Sequence, residues 1–423
     1  MSNNSYPCPG GGEIGRAQVA QAEACGLLPE PAFNPILLKP TADMSSQVVV
    51  NGRVWRHLSA RAYYEHFDEL LAHVLEAYHQ LSRRFDYVVI EGAGSVAELN
   101  LKSRDLVNFG LARRINARAL LVADIDRGGV FASVIGTLAL LDPEERALVR
   151  AFAVNRFRGD PSLFTDGVKI LEERTGSPCL GVFPHARIHL DEEDGVALDE
   201  ARSSRPSRVA VIAFPRISNL TDFRLLPDAA WITQPVDRQF DAVFLPGTKS
   251  TLADLAWLRA QGLDRWLLDQ HQRGAHVIGI CGGYQMLGHE IEDPGGSDGA
   301  AGAAAGLGLL PVATRMEAEK TTRAVTAFFQ GMEASGYEIH VGATRALSPV
   351  EPFALVDGQA EGARIEGCSG TYLHGICEDH RVLSALVGYP VAAPVSKEES
   401  YDALGRWFAE NANVALFERE YLT

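Results

Sequence analysis

Cys281 is the residue most plainly set up for chemistry. It sits in His276-Val-Ile-Gly-Ile-Cys-Gly-Gly-Tyr-Gln-Met-Leu-Gly288. Residues 276–280 read as a short buried strand, and Gly282-Gly283 open a helix. The local pattern Gly279-Ile-Cys281-Gly-Gly283 is the sulfur counterpart of the G-x-S-x-G nucleophile elbow. Such a turn needs small residues because it is tight and because the N–H after the nucleophile must face the substrate. The positive end of the following helix favours a thiolate. A thiol nucleophile needs a base, and Gly370-Thr-Tyr-Leu-His374-Gly reads as a strand ending in His374. A Cys followed by a distant His, both at strand ends, fits acyl-thioester chemistry. Leu245-Pro-Gly-Thr-Lys-Ser250 follows the strand Asp241-Ala-Val-Phe-Leu245. There the N–H of Gly247 is placed to share an oxyanion hole with that of Gly282.

A second set of polar residues lies earlier, again at strand ends. Residues 86–90 read as a buried strand leading to Glu91-Gly-Ala-Gly-Ser95. Residues 119–126 repeat the pattern with Asp124 and Asp126, followed by Arg127-Gly128-Gly129, and residues 151–160 do so with Asn155. Ligands of a parallel α/β sheet bind at the C-terminal ends of its strands. Glu91 at such an end is placed to hold magnesium, directly or through water.

These residues need a scaffold of strands alternating with helices, which predicts an α/β fold of two doubly wound domains with mainly parallel sheets. The polar stretch 201–208 marks the boundary and gives domains of residues 1–203 and 209–423. Before the first domain's strands, Gly10-Gly-Gly-Glu-Ile-Gly-Arg-Ala-Gln18 reads as a glycine turn entering a helix over residues 14–25. Lys39 sits between an apolar strand and Pro40, and Asn51-Gly52 marks a hairpin. Residues 60–85 read as one long amphipathic helix, residues 295–308 as a glycine-alanine surface loop, and residues 396–421 as a packing helix.

Composition narrows the function. The chain has 423 residues, 46% hydrophobic and 22% charged, enough for two globular domains. A formal net charge of −15 argues against a nucleic-acid partner. No apolar run is long enough to span a bilayer. The six cysteines show no metal-ligand spacing, which fits a reducing cytoplasm.

Elbow, His374 and the Gly247 turn, in this order, resemble the class I glutamine amidotransferase module. There the Cys attacks the glutamine amide, ammonia leaves, and the His is the base. The third member is usually a Glu two residues after the His; here that position is Ile376, and Glu378 nearby has no assigned role. This points to the branch of cobyric acid synthases and cobyrinate diamide synthases. Asn3-Asn-Ser-Tyr, Gly11-Gly-Glu-Ile-Gly-Arg-Ala-Gln18, Asn34-Pro-Ile-Leu-Leu-Lys-Pro-Thr41 and Ile90-Glu-Gly-Ala-Gly-Ser95 resemble the cobyric acid synthase family. So do Ala123-Asp-Ile-Asp-Arg-Gly-Gly-Val-Phe131, Phe157-Arg-Gly-Asp160, Phe214-Pro-Arg-Ile-Ser-Asn-Leu-Thr-Asp-Phe223 and Gly336-Tyr-Glu-Ile-His-Val-Gly342.

The resemblance implies a dethiobiotin-synthetase-like ATP domain joined to a glutaminase domain. It implies ATP, Mg2+ and L-glutamine as ammonia donor, no tightly bound cofactor, and amidation of four peripheral carboxylates of adenosylcobyrinic acid a,c-diamide. It places Glu91 with magnesium, Asn155 near adenine, Asp124 and Asp126 near phosphates or metal, and Glu13, Arg16 and Lys39 with the substrate. Cobyrinic acid a,c-diamide synthase shares the architecture and is the nearest alternative, followed by a chain retaining only glutaminase or corrinoid-binding function. The chain contains no G-x-x-x-x-G-K-[ST] phosphate loop. The family opens with a strand and such a loop, so a start upstream of Met1 or a shortened gene is expected.

Overall fold

The structure is a computed structural model that describes residues 4–42, 45–186, 188, 207–299 and 301–423. Most of the expected 201–208 linker, together with Met1 and Asn3, lies outside the described residues. The chain forms two compact units, one of Met1–Arg61 with Asp191–Pro394 and one of Ala62–Leu190 with Val395–Thr423.

The first unit is built on a six-stranded sheet in the order Ala230–Ile232, Val209–Ile212, Ala242–Leu245, His276–Ile280, Cys368–Thr371, Ala363–Ile365. The first five strands are parallel and the last pairs antiparallel. Val209–Ile212 and Ala242–Leu245 are buried along their whole length, as runs of Val, Ile and Phe in a parallel sheet require. A second sheet is centred on the antiparallel pair Val312–Phe329 and Met332–Ala346, and its edge strand Leu373–His374 brings His374 opposite Tyr337. Residues 295–308 are more than a loop, since Gly302–Ala305 pairs with Glu290–Asp293 in this sheet.

The N-terminal residues fold within this unit, not with the strands of the expected ATP domain. Ser5–Pro7 pairs with Glu13–Gly15, and helix Arg16–Ala24 follows as the glycine turn predicts. Ile36–Ala42, Ser45–Val50 and Arg53–Ser59 form an antiparallel sheet. Its second turn is the expected hairpin, with Asn51 at φ 47° and Gly52 at φ 78°, the left-handed pair that a two-residue turn needs.

The second unit holds a parallel sheet of Ala119–Asp124, Val149–Phe157 and Cys179–Pro184, flanked by helices such as Val130–Leu140 and Thr165–Thr175. The strand expected at residues 86–90 is not formed; Val89 is 97% exposed there. A strand exists only by pairing its N–H and C=O groups with a neighbour, and among the described residues 86–90 finds none. The expected helix over residues 60–85 is two, Ala60–Glu65 and Phe67–Ser82, broken at His66. The C-terminal stretch is also two helices, Lys397–Asn411 and Val414–Tyr421. Ser396 and Glu399 cap the first reciprocally. Trp407, Phe408, Leu416 and Phe417 cover Leu180 and Phe183 of the sheet.

Candidate active site

Cys281 leaves the end of the His276–Ile280 strand with φ 53° and ψ −110°, the strained backbone of an elbow. Its N–H donates to Thr371 O at 2.8 Å, and helix Gly282–Leu287 starts at the next residue. The glycines are there for room. A Cβ on Gly283 would lie 1.9 Å from Leu245 O, and one on Gly279 2.6 Å from Tyr284 N. The sulfur lies 3.7 Å from Ile339 O, on the strand that carries the Gly336–Gly342 motif.

His374 is 1% exposed and stacks on Tyr337 at 5.5 Å. Its Nδ1–H donates to Asp222 Oδ2 at 2.8 Å, and Asp222 Oδ1 accepts from Gly375 N at 2.6 Å. That fixes the tautomer and turns Nε2 inward, where it has no hydrogen-bond partner among the described residues. Burial pushes the His374 pKa down, but the Asp222 carboxylate and the Cys281 sulfur outweigh it and raise it to about 9. Both neighbours therefore favour the protonated form of the imidazole. Asp222 completes a Cys-His-Asp set. Sequence reasoning missed it, although it lies in the quoted 214–223 motif, because the acid was sought two residues after the His. It sits 152 residues before it, in the short turn Leu220–Phe223. Glu378 turns away from His374 to pair with Arg16 at 3.4 Å and Arg224 at 3.5 Å.

Gly247 lies against the His374 ring, where a Cβ would come within 2.8 Å of Cε1. Gly282 faces the same loop, with its Cβ position 3.3 Å from Thr248 N. Gly282 is the first helical residue, so its N–H has no intrahelical acceptor. Cys281 opens into a cavity of about 530 Å³ that Gln285, Lys249, Lys39, Lys320 and Asp298 also line. Thr251 Oγ1 donates to Gln285 Oε1 at 3.0 Å, and Gln285 Nε2 donates to Tyr372 OH at 3.2 Å.

Glu13 and Lys39, expected among the substrate contacts, are each 2% exposed, and Lys39 lines this cavity. Glu13 bridges Lys39 at 2.5 Å and Lys320 at 2.6 Å, and Ser5 joins them with a 2.9 Å bond to Glu13. Burial pushes the Glu13 carboxyl up, but the two lysines reverse this and hold it well below its usual range. Arg16 is also 2% exposed, over the Tyr6 ring at 4.8 Å.

In the second unit the strand register sets Asp124 beside Asn155. Asp124 faces Arg156 at 3.4 Å and Arg127 at 3.7 Å, and Asp126 holds Arg158 by bonds of 2.6 and 3.1 Å. Glu91 is exposed in a segment without regular structure. Among the described residues no group of three His, Cys, Asp or Glu could hold a metal. Both aspartates are paired with exposed arginines here. Three guanidinium groups at the ends of parallel strands fit phosphate oxygens.

Residues 208–382 match the family described as "CobB/CobQ-like glutamine amidotransferase domain", and residues 36–192 match one described as "AAA domain". A "Cobyric acid synthase" of Parabacteroides distasonis is 45% identical over 98% of this chain and 89% of its own length. One of Hyphomonas neptunium is 44% identical over 95% of this chain and 84% of its own. One of Cereibacter sphaeroides is 46% identical over 92% and 83%.

Proposed function

The chain belongs to the cobyric acid synthase family, and from that premise we propose that it hydrolyses glutamine at Cys281 and uses the ammonia to amidate a corrinoid at the expense of ATP. The observation that carries the glutaminase half is the buried Asp222–His374 pair turned toward an elbow cysteine. The Cys281 thiolate attacks the glutamine side-chain carbonyl carbon. Gly247 and Gly282 N–H groups take the developing oxyanion. His374 gives its proton to the departing ammonia, leaving a thioester. It then removes a proton from the water that attacks that thioester, and glutamate leaves with the thiolate restored.

The ligase half is assigned to the second unit. There Arg127, Arg156 and Arg158 face the nucleotide phosphates as the corrinoid carboxylate is activated for ammonia, Asp124 and Asp126 would hold the magnesium that accompanies the nucleotide, and Asn155 lies near the adenine. The substrate in this reading is adenosylcobyrinic acid a,c-diamide, amidated at four peripheral carboxylates. The cysteines are all free, which suits a reducing, cytoplasmic setting. Among the described residues no helix is long and apolar enough to cross a membrane. The test is to supply glutamine, ATP and the diamide and follow glutamate, phosphate and corrinoid mass together. The reading requires stepwise gain of amides on the corrinoid; glutamate release without corrinoid change would reduce it to a glutaminase.

A further inference from the structure

The elbow and His374 are joined by a single crossing of the chain. Strand Cys368–Thr371 belongs to the parallel sheet, with Thr371 opposite Ile280, and Thr371 O accepts the Cys281 N–H at 2.8 Å. Leu373–His374 belongs to the second sheet, with His374 opposite Tyr337. One residue, Tyr372, separates the two strands, so the chain changes sheets there. A chain that leaves one ladder for another must satisfy the N–H groups at the step by other means. Glu361 supplies them. Its Oε1 accepts from Tyr372 N and its Oε2 from Thr371 Oγ1, both at 2.7 Å, and Thr371 Oγ1 in turn accepts from Leu373 N at 3.0 Å. Glu361 is buried at the end of strand Gln359–Glu361. The next residue, Gly362, has φ 69°, and a Cβ there would come within 2.4 Å of Gly370 O. The turn that delivers Glu361 is thus pressed against the strand it holds. Its carboxylate is not placed for an ion pair, since Arg323, the cation whose charge reaches it, is bound to Glu338 and Asp357. Burial pushes the Glu361 pKa up to about 7, with its two hydrogen bonds opposing the rise.

We propose that Glu361 is a positioning residue for glutamine hydrolysis, fixing the chain crossing at Tyr372 and so setting the Cys281 sulfur against the His374 imidazole. The proposal rests on the glutaminase reading of Cys281 and extends it to a group outside the cavity lining. The elbow backbone at φ 53° is strained, and such a conformation persists only where its surroundings over-determine it. The bond from Cys281 N–H to Thr371 O is one of those restraints, and His374 lies three residues further along the same pinned segment. Without the Glu361 carboxylate, the Tyr372 N–H and the Thr371 hydroxyl lose their buried acceptor. Residues 371–373 can then shift to find other partners, and the sulfur and the imidazole no longer move together. A misplacement near 1 Å between reacting groups costs about 10² in rate.

The test is steady-state glutamate release by the full chain, with ATP and corrinoid present. Glu361→Ala should lower kcat for glutamine about ten- to a hundredfold and hold KM within about threefold, because the cavity lining is unchanged. Glu361→Gln keeps the shape and a hydrogen-bonding group at both contacts, and should recover kcat to within about threefold of the parent. The Cys281 sulfur is one of the groups that raise the His374 pKa. In Glu361→Ala the alkaline limb of the kcat profile should therefore move to lower pH, and in Glu361→Gln it should stay. Thermal melting confirms that each variant is folded. If Glu361→Ala does not fold, Thr371→Val decides instead: it removes only the hydroxyl link, and kcat should fall about tenfold at unchanged KM. A folded Glu361→Ala enzyme with kcat within about twofold of the parent, an unmoved alkaline limb, or a loss confined to KM would overturn the positioning role and leave Cys281 untouched. So would a Glu361→Gln enzyme no faster than Glu361→Ala, or a Thr371→Val enzyme at the parent rate. Failure of the parent to hydrolyse glutamine would overturn the glutaminase reading and this role with it.

Discussion

Asp222 is the residue that decides how the thiol is served. Its carboxylate holds Nδ1–H of His374 and, with the Cys281 sulfur, lifts the histidine pKa to about 9 against burial. Asp222→Asn keeps the size but removes the charge. We expect it to lower kcat for glutamine hydrolysis by about 10²- to 10⁴-fold, the range of a misdirected acid–base group. The alkaline limb of the rate profile should also move to lower pH, because His374 loses its proton earlier. A pH–rate profile measures both, and an unmoved alkaline limb would mean that another group titrates. For stability the sign follows from a raised pKa. The His374 contribution is complete below the unfolded value near 6.5 and is lost as pH rises through about 9. Cys281 and His374 were legible because each closes a strand with small neighbours, a local signal. Asp222 was not, because its relation to His374 exists only after 152 residues of chain have folded back.

Element packing makes some of these residues irreplaceable for reasons unrelated to chemistry. Helix Gly282–Leu287 lies so close to strand Ala242–Leu245 that Gly283→Ala would press on the Leu245 backbone. A Cβ on Gly370 would likewise sit 2.0 Å from the Tyr284 ring. Either change should lower stability by at least about 1–3 kcal/mol, read as a drop in the melting midpoint. The N-terminal strands carry a different liability. Glu13→Gln would leave Lys39 buried and unpaired, at a cost of about 3–5 kcal/mol. Because the Glu13 pKa is depressed, its contribution is present above the ordinary carboxylate range and is lost as pH falls below it. A parent protein whose melting midpoint falls no more on acidification than that of Glu13→Gln would contradict that account. The hairpin at Asn51-Gly52 was legible from two residues, whereas residues 86–90 misled. Their apolar run, Tyr87-Val-Val-Ile90, has strand composition, but composition supplies no neighbouring strand to complete the ladder.

At the scale of the molecule, the sequence-based domains and the compact units differ for a physical reason. A polar linker marks where few contacts cross locally, but chain ends can cross back. Residues 1–61 return to the glutaminase unit and residues 395–423 to the other. The parallel α/β class was legible because alternating strands and helices repeat along the chain; the swapped ends were not, because no local pattern encodes a partner. A chain ending at Pro394 should therefore keep glutamine hydrolysis while the second unit loses the cover of Trp407, Phe408 and Leu416 over Leu180. Calorimetry should show one transition weakened and the other retained. The central claim is that ammonia for the ligase comes from Cys281. It is tested most directly by corrinoid amidation with Cys281→Ala, comparing glutamine with ammonium chloride as nitrogen source. The account predicts no amidation from glutamine and amidation from ammonium close to that of the parent. Amidation from glutamine in that variant would contradict it.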